Sequence, residues 1–491
     1  MSRAVLAIDQ STSGTKALLF DTSGKLLAKT AKPHQQHYPR PGWVEHDAEE
    51  IYQNVLAVVQ DLCSGHPVDD LICLSITNQR ETFVVFERDT GAPLHPAIVW
   101  QCRRGEPRCR ELTEAGHGPN VTEATGLKID TYFPASKIAW LMENEPEIAT
   151  QLRDGSALLG TIETYLIYRL TGGAVFATDH TNACRTLLYD INTLNWSDEL
   201  CELFGVPRAT LAEVRESAAT FGETDCEGIL PASVPIVGVM GDSQAALFAQ
   251  RCYRPGGAKV TFGTGSSVLL NVGEIPVRSA SGIVTTVGWV YDGQPTYAFE
   301  GIINFTGATV AWLRDQLELI HDSAQTEELA RSVSDNGGVY LVPAFVGLSA
   351  PYWRADVQGA IVGLTPGSTR AHVVRAALES IAYQVRDVLG LMARDAGVPL
   401  QRIQADGGAV SNQFLMQFVA DMVGLDVRAA QLPELSALGA VFAGLLGSGE
   451  VDSFAALEAL PAPFDDYQPQ MPQEQIDANV AGWQAAVQRV L

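Results

Sequence analysis

The sequence is poor in positive charge. It contains 33 Lys and Arg against 57 Asp and Glu, which gives a formal net charge of −24 at pH 7. A chain with this balance repels other polyanions, so we expect neither nucleic acid nor an anionic membrane as its main partner. An anionic nucleotide would need a local site and a Mg²⁺ ion, because the overall field of the molecule does not attract it.

Paired cysteines and long apolar runs are also missing. The eight cysteines are scattered without a Cys-x-x-Cys pair, so we interpret them as reduced cytosolic thiols rather than disulfides or metal ligands. No apolar run reaches the length that spans a bilayer, and the chain begins with an apolar strand at 4–8 without the basic stretch of a signal peptide. These absences predict a cytoplasmic protein.

The chain is too long for one ordinary core. Its 491 residues are 46% apolar and 18% charged, which is typical of globular proteins, and a chain of this length predicts two domains of roughly 200–250 residues. The segment 250–257 has the composition of a linker, with Pro255 followed by two glycines. We therefore predict an N-terminal domain at 1–250, a C-terminal domain at 251–450 and a Pro- and acid-rich peripheral tail at 451–491.

The stretch from 234 to 272 carries the strongest chemical signal. An apolar run at 234–240 is followed by Asp242 and then by small residues at helical spacing, so Asp242 is predicted to lie where a strand gives way to a helix. Two further apolar runs are joined by a Gly-Thr-Gly-Ser turn at 263–266, whose glycines allow positive φ and let amides crowd around a phosphate. Together they suggest phosphoryl transfer to a hydroxyl. Alternatively, Asp242 only caps a helix and the turn only closes a hairpin.

Residues 4–30 repeat the pattern of strand, hydroxyl- and Gly-rich turn, and strand. We interpret the two hairpins as a duplicated phosphate loop, one copy in each domain, whose turns face each other and hold the two ends of a triphosphate. In the first copy Asp9 can hold Mg²⁺ through water, and Lys16 can reach a phosphate as a point charge. The alternative is two unrelated hairpins with polar turns.

Polar residues follow two other predicted strands. Arg80 and Glu81 come after a buried strand at 71–77, where a guanidinium fork and a carboxylate can grip a polar ligand. A plain surface ion pair is the alternative. A strand at 403–405 runs into Gly407 and Gly408 before a helix, a place where a base or a phosphate can meet bare backbone.

Several longer motifs resemble those of the FGGY family of carbohydrate kinases, most closely its glycerol kinase members. They lie at 41–47, 76–82, 98–104, 132–141 and 359–379, and the resemblance covers roughly residues 4–450. It implies an α/β, two-domain actin/hexokinase-like (ribonuclease H-like) fold, with a mixed five-stranded sheet and flanking helices in each domain around a central cleft. It also implies ATP and Mg²⁺ as cofactors, a small polyol or sugar as substrate, and a homo-oligomer, either a dimer or a tetramer.

The resemblance also implies roles for individual residues. Asp242 resembles the base that takes the proton from the attacking hydroxyl, and Asp9 and Asp242 resemble the Mg²⁺ carboxylates. The implied reaction is direct in-line transfer from Mg-ATP, driven mainly by positioning and charge. The positions that match ATP contacts are Thr12, Ser13, Lys16, Thr264, Gly265, Gly307, Gly408 and Asn412. The positions that match polyol contacts are Arg80, Glu81, Tyr132, Asp242 and Ser243, with Trp100 as an apolar wall.

Two positions depart from the glycerol kinase pattern. Ser243 follows Asp242 where Gln is usual, and Ser267 stands where Phe is usual. Both changes remove bulk and add a hydroxyl, which would make the pocket larger and more polar. The expected reaction is therefore glycerol to sn-glycerol 3-phosphate, while a larger polyol or ketose, such as a tetritol or xylulose, stays open as an alternative. A non-catalytic binding protein is a further alternative, but the presence of Asp9, Asp242 and both turns argues against it.

Overall fold

Alternating apolar runs and turns build one large mixed sheet in each half of the chain. The computed structural model describes residues 3–66, 68, 70–432 and 434–491. The strands of the first half are β1 (Ala4–Gln10), β2 (Gly14–Asp21), β3 (Leu26–Pro33), β4 (Glu45–His46), β5 (Leu71–Asn78), β6 (Phe83–Glu87), β7 (Ala97–Ile98), β8 (Ala157–Thr161), β9 (Ala177–Asp179), β10 (Tyr189–Asp190), β11 (Asn195–Trp196), β12 (Glu213–Arg215), β13 (Thr220–Thr224) and β14 (Val234–Gly241). Its helices are α1 (Ala48–Gly65), α2 (Glu106–Glu114), α3 (Gly118–Thr125), α4 (Pro134–Asn144), α5 (Pro146–Asp154), α6 (Ile162–Leu170), α7 (His180–Ala183), α8 (Asp198–Phe204) and α9 (Asp242–Ala249).

The second half begins with the second predicted hairpin. Its strands are β15 (Ala258–Phe262), β16 (Ser266–Gly273), β17 (Val284–Tyr291), β18 (Gln294–Ile303), β19 (Tyr340–Val342), β20 (Ala360–Val362), β21 (Ile403–Asp406), β22 (Val427–Ala430) and β23 (Phe464–Tyr467). Its helices are α10 (Gly307–Asp315), α11 (Gln325–Arg331), α12 (Arg370–Ala396), α13 (Gln413–Val423), α14 (Leu435–Gly447), α15 (Phe454–Ala459) and α16 (Gln473–Gln488). Among the described residues, none of the helices combines the length and the apolar character needed to cross a membrane.

The two large sheets share one topology. The first has the order β13-β14-β5-β1-β2-β3, with antiparallel β1–β2 and β2–β3 pairs and parallel β1–β5 and β5–β14 pairs. The second has the order β17-β18-β16-β15-β21-β22-β23, with the same sequence of antiparallel and parallel pairs from β18 to β22. The five strands predicted for each domain are therefore present, and β13, β17 and β23 extend the sheets at their edges. This shared order supports the interpretation of the two hairpins as a duplication.

Helices α9 and α14 lie between the two sheets. Their apolar residues share one core with Val5 and Ala7 of the first sheet and with Leu269 and Ala298 of the second. The two helices approach very closely, since a Cβ at Gly439 would lie 1.9 Å from the carbonyl oxygen of Ala245. Helix α14, which the sequence analysis assigns with 251–450 to the second domain, also covers β1, β5 and β14 of the first sheet.

The segment after residue 450, which the sequence analysis predicts to be a peripheral tail, packs on the second half of the chain. Strand β23 pairs with β22 and so becomes an edge strand of the second sheet. On α16, Trp483 is only 1% exposed and stacks on Tyr383 of α12 with ring centroids 5.3 Å apart. The Pro- and acid-rich composition hid these apolar anchors, because they are few and widely spaced.

Candidate active site

Asp242 lies at the junction between a strand and a helix that the sequence predicts. Strand β14 ends at Gly241 and α9 begins at Asp242. The residue in the N-cap position is Gly241, which has no side chain, so Asp242 is not the capping residue that the alternative interpretation required. Its Oδ1 accepts a 2.6 Å hydrogen bond from the amide of Ser243, and its side chain remains 42% exposed. The carboxylate is therefore available to a ligand.

Arg80 forms an ion pair with the Asp242 carboxylate. Its Nε lies 3.2 Å from Asp242 Oδ1, its Nη1 donates to Gln244 at 3.0 Å, and its Nη2 donates to Glu300 at 2.6 Å. The Arg80 side chain is buried, and its hydrogen bonds to Gln244 and Glu300 fix the fork, while its Nε forms an ion pair but no hydrogen bond with Asp242. One side of the guanidinium thus faces the cleft carboxylate and the other faces the protein interior.

A second arginine completes a buried network of four charges. Arg185 Nε donates to Glu81 at 2.6 Å, and its Nη2 lies 2.7 Å from the second oxygen of Glu300. Burial favours a higher pKa for Glu300, but Arg185 and Arg80 outweigh it and bring its pKa to about 2. Glu81 adopts φ 62, a left-handed conformation that is costly for a residue with a side chain. Arg80 and Glu81 therefore do not form the surface ion pair that was the alternative.

Aromatic rings form one wall beside this network. Trp100 and Tyr132 lie with ring centroids 5.3 Å apart, and Trp100 Nε1 donates to Thr12 Oγ1 at 3.0 Å. Burial raises the pKa of the Tyr132 hydroxyl, and the nearby charge of Glu81 adds to the effect. The wall therefore joins the residues predicted to bind the polyol to the turn predicted to bind phosphate.

Lys137 fixes the position of the Tyr132 segment. It is fully buried on α4, and its Nζ donates to the carbonyls of Thr131 at 2.8 Å and Tyr132 at 3.0 Å. Burial lowers the pKa of Lys137 to about 8 from its ordinary value of 10.5. The neutral amine has one N–H fewer to donate, so deprotonation loosens this segment.

We predict that kcat/KM for the phosphoryl acceptor falls as pH rises through about 8. The folded protein releases the Lys137 proton before the unfolded chain does, so this group makes the free energy of unfolding rise between pH 8 and 10.5. A loss of activity in this range, with unchanged or higher melting temperature, would therefore come from the loosened segment. Lys137→Arg, which stays charged, should remove the alkaline loss, and an unchanged alkaline profile in that variant would contradict the prediction.

The first turn holds its lysine between two carboxylates. Lys16 Nζ lies 2.9 Å from Asp9 Oδ2 and 2.9 Å from Glu434 Oε2, and Lys29 also binds Glu434 at 2.6 Å. Burial raises the pKa of Asp9, the ion pair with Lys16 opposes this, and the charges of Glu434 and then Asp242 raise it further. Ser13 is exposed at the tip of the same turn.

The nucleotide positions predicted for the second domain mostly line one cavity. It has a volume of about 710 Å³, and its lining includes Thr264, Gly307, Gly408 and Asn412. Asn412 also caps α13, since its Oδ1 accepts from the amide of Leu415 at 2.9 Å. The structure does not place the first-turn residues Thr12, Ser13 and Lys16 in this cavity, and Gly265 is not among its lining residues.

The glycines of the second turn serve close packing rather than positive φ, which corrects the sequence prediction. Neither Gly263 nor Gly265 has a positive φ. A Cβ at Gly265 would instead lie 2.5 Å from the carbonyl oxygen of Ile303, and one at Gly307 would lie 2.7 Å from that of Gly263. The turn is thus pressed against the start of α10, where Gly307 donates to the Gly263 carbonyl at 3.0 Å.

A buried chain of hydrogen bonds fixes the backbone just before Asp242. The hydroxyl of Thr181 donates to Asp179 Oδ2 at 2.7 Å and accepts from the amide of Gly241 at 2.8 Å. Asp179 also accepts from Asn182 and Ser217, so its carboxylate is fully engaged. Thr181 therefore fixes the turn from which Asp242 projects.

We predict that Thr181→Val lowers kcat about 10-fold with little change in KM. The variant leaves the Gly241 amide without its acceptor, which releases the turn that aims Asp242, and small misplacements of reacting groups are costly. Thr181→Ser keeps the hydroxyl and should restore kcat. Equal kcat values for Val and Ser variants that melt at the same temperature would contradict this role.

The two serines that depart from the family pattern lie in different environments. Ser243 is partly exposed beside Asp242. Ser267 lies on β16, and its Oγ is buried without a hydrogen-bond partner among the described residues. The expectation that both hydroxyls make the pocket more polar therefore fails for Ser267, whose hydroxyl is covered.

Sequence reasoning missed the residues that complete the site through tertiary contacts. The chief ones are Arg185, Glu300, Thr181, Lys137 and Glu434. A signal was present for Glu300, because a single charge inside the apolar run 297–303 predicts a buried ion pair. Glu434 carried no such signal, since it lies in a loop before α14.

Comparison with known proteins agrees with this geometry. The model of the FGGY family of carbohydrate kinases matches residues 4–249 with its N-terminal domain and residues 258–448 with its C-terminal domain. Glycerol kinase from Symbiobacterium thermophilum is 47% identical over 487 residues, covering 99% of this chain and 98% of that protein. Glycerol kinase 1 from Thermotoga maritima is 46% identical over 489 residues, covering 99% of each chain.

A solved structure extends the likeness to the fold. The crystal structure of Plasmodium falciparum glycerol kinase with ADP superposes with a TM-score of 0.95 at 35% identity, covering 100% of this chain and 98% of that one. This agreement confirms the predicted two-domain actin/hexokinase-like fold. The matches over both halves, together with the duplicated sheets and the cleft carboxylate, show that this chain is a phosphotransferase that belongs to the FGGY family of carbohydrate kinases.

Proposed function

We propose that the protein transfers the γ-phosphoryl group of ATP to a hydroxyl of a small polyol, with glycerol as the acceptor and sn-glycerol 3-phosphate as the product. The observation that carries this proposal is the partly exposed Asp242 carboxylate, which lies 3.2 Å from the Nε of buried Arg80. The relatives named glycerol kinases, similar over almost their full length, support glycerol as the acceptor.

In the proposed mechanism Asp242 accepts the proton of the attacking hydroxyl. Arg80 and Glu81 bind the other hydroxyls, and Trp100 and Tyr132 cover the carbon chain. Because Arg80 is tied to Glu300 and Gln244, it keeps the Asp242 carboxylate in place without reorganisation during the reaction. Positioning thus supplies much of the rate, as expected for direct phosphoryl transfer.

The nucleotide site proposed here combines the cavity of the second domain with the two turns. The base would lie near Gly408 and Asn412, and the phosphates near Thr264, Gly265 and Gly307. Of these, a side chain at Gly408 would meet no neighbouring atom, which is consistent with open space for a ligand. Thr12, Ser13 and Lys16 would meet the phosphates from the opposite domain, and closure of the cleft would bring the two sets together.

Asp9 and Asp242 fit a Mg²⁺ site. Mg²⁺ is usually held by one or two carboxylates together with substrate phosphates and water. The charge of Asp242 adds a small upward shift to the pKa of Asp9, and no group of three or more His, Cys, Asp or Glu able to hold a metal occurs in the described part of the chain. A Mg²⁺ ion bound with ATP would neutralise phosphate charge, and Asp9, otherwise compensated by Lys16, would help to hold it.

A larger polyol or ketose is the second candidate, because Ser243 replaces the larger Gln usual beside the base. The deciding experiment is ADP release from Mg-ATP with glycerol, dihydroxyacetone, erythritol, threitol, xylitol, xylulose and ribulose. The highest kcat/KM for glycerol would support the proposal. A clear preference for a tetritol or pentulose would replace glycerol while keeping the kinase assignment, and no acceptor-dependent ADP release would contradict the proposed transfer to a small polyol.

Assembly and location are also proposals that rest on the family resemblance. We propose a cytoplasmic homo-oligomer, either a dimer or a tetramer. Light scattering coupled to size exclusion at assay concentration would measure the mass in solution. A monomeric mass there would contradict the oligomer.

A further inference from the structure

An isoleucine on β18 lies in an unusual place for a large apolar side chain. Ile302 is 46% exposed, although it lies two residues from buried Glu300. Side chains two residues apart on a strand share a face and are separated by about 7 Å. Ile302 therefore lies on the face of the second sheet that carries the buried charge network.

The packing of its neighbours confirms which face this is. Phe299 and Ile303 belong to the core formed with α12, on the outer side of the second sheet. Ala298 belongs to the core shared with α9, on the side facing the first domain. Glu300 contacts Arg80 and Arg185 on that same inner side. Ile302, the next residue of this inner row, thus lies beyond Glu300 towards the second phosphate turn.

The cross-strand partner of Ile302 is Ser267. The two residues are directly opposite each other in the antiparallel pair of β16 and β18, so their side chains lie on one face with Cβ atoms about 5 Å apart. Ser267 is small, and its hydroxyl is covered. The space that a large residue at position 267 would fill is therefore next to the Ile302 side chain.

We infer that Ile302 determines acceptor specificity by forming the apolar wall at the end of the polyol pocket that Ser267 is too small to form. This inference rests on the proposed transfer to a small polyol. The wall contacts the carbon side of a three-carbon acceptor and leaves no room for a fourth hydroxymethyl group. It also excludes water from the γ-phosphate once the cleft closes.

Ile302→Ala tests the wall directly. The measurement is kcat/KM for glycerol and for erythritol, together with ADP release from Mg-ATP without acceptor. We expect the erythritol-to-glycerol ratio to rise at least about 10-fold, because one or two carbon groups in an apolar pocket typically change specificity by this amount or more. Ile302→Val should give a smaller rise, and ADP release without acceptor should increase in the Ala variant.

Two further variants make the test specific. Ile275→Ala removes the same side chain at a site that is 76% exposed after the end of β16, and it should leave the ratio unchanged. Adding Ser267→Phe to Ile302→Ala should restore the preference for glycerol. An unchanged ratio in Ile302→Ala, with wild-type activity on glycerol, would overturn the inference while leaving the proposed function intact. Wild-type protein without acceptor-dependent ADP release would instead overturn the proposed function.

Discussion

Asp242→Asn is expected to lower kcat by about 10²–10⁴-fold. The amide keeps the size of the side chain but cannot accept the proton of the attacking hydroxyl, and a positioned base typically contributes a factor of this size. The fold should be unaffected, because the side chain is partly exposed and its contacts are limited to Ser243 and Arg80. The measurement is single-turnover and steady-state phosphorylation of glycerol, with melting temperature recorded in parallel.

A control variant separates the loss of the catalytic base from the loss of one negative charge. Asp61→Asn makes the same chemical change at an exposed position of α1. Asp61 is not one of the residues assigned above to the active site or to the nucleotide cavity. It should leave kcat and melting temperature unchanged. Full turnover by the Asp242 variant would remove the base from the mechanism and leave phosphoryl transfer to positioning alone.

Arg80→Met is expected to have the largest combined effect on stability and activity. It leaves two buried carboxylates, Glu81 and Glu300, with Arg185 as their remaining arginine partner. Removing one partner of a buried ion pair costs about 3–5 kcal/mol of unfolding free energy. We also expect kcat/KM to fall by at least about 100-fold, since the Asp242 carboxylate loses its support. Urea unfolding and steady-state kinetics measure the two effects.

Acid unfolding offers an independent readout of the same network. The pKa of Glu300, about 2, lies below its ordinary value of 4.5, so its contribution to stability is present above pH 4.5 and is lost as pH falls towards 2. In Arg80→Met this acid-dependent part should shrink. Arg103→Met is the control, because Arg103 is 65% exposed and its 3.4 Å pair with Glu106 is a surface pair worth about 0–1 kcal/mol. Equal losses of stability in both variants would contradict the role of the buried network.

Local patterns predicted the parts of the site that are close in sequence. The hairpins at β1–β2 and β15–β16 and the junction at Asp242 follow from apolar runs broken by glycine and hydroxyl residues. Residues brought together from distant parts of the chain could not be predicted this way. Arg80 and Glu300 are 220 positions apart, and no periodicity in either segment indicates that they meet.

The reason for a glycine was likewise hidden from the sequence. A glycine in a turn suggests positive φ, but Gly265 is required by the carbonyl of Ile303, which lies on another strand. Position in a tight tertiary contact depends on the whole fold, whereas turn propensity is local. The same limit explains the tail, whose anchoring residue Trp483 finds its partner on α12.

Helix α14 has a consequence for how the protein is made. It covers the face of the first sheet that carries Val5 and Ala7, yet it ends only at Gly447. A ribosome therefore releases the whole first sheet while one apolar face is still bare, and that face waits for most of the second domain to be synthesised. Partly made chains with uncovered sheet faces are prone to aggregate and are the usual clients of chaperones. Synthesis of the first 250 residues alone should yield an insoluble product, whereas the full chain, which includes α14, should be soluble.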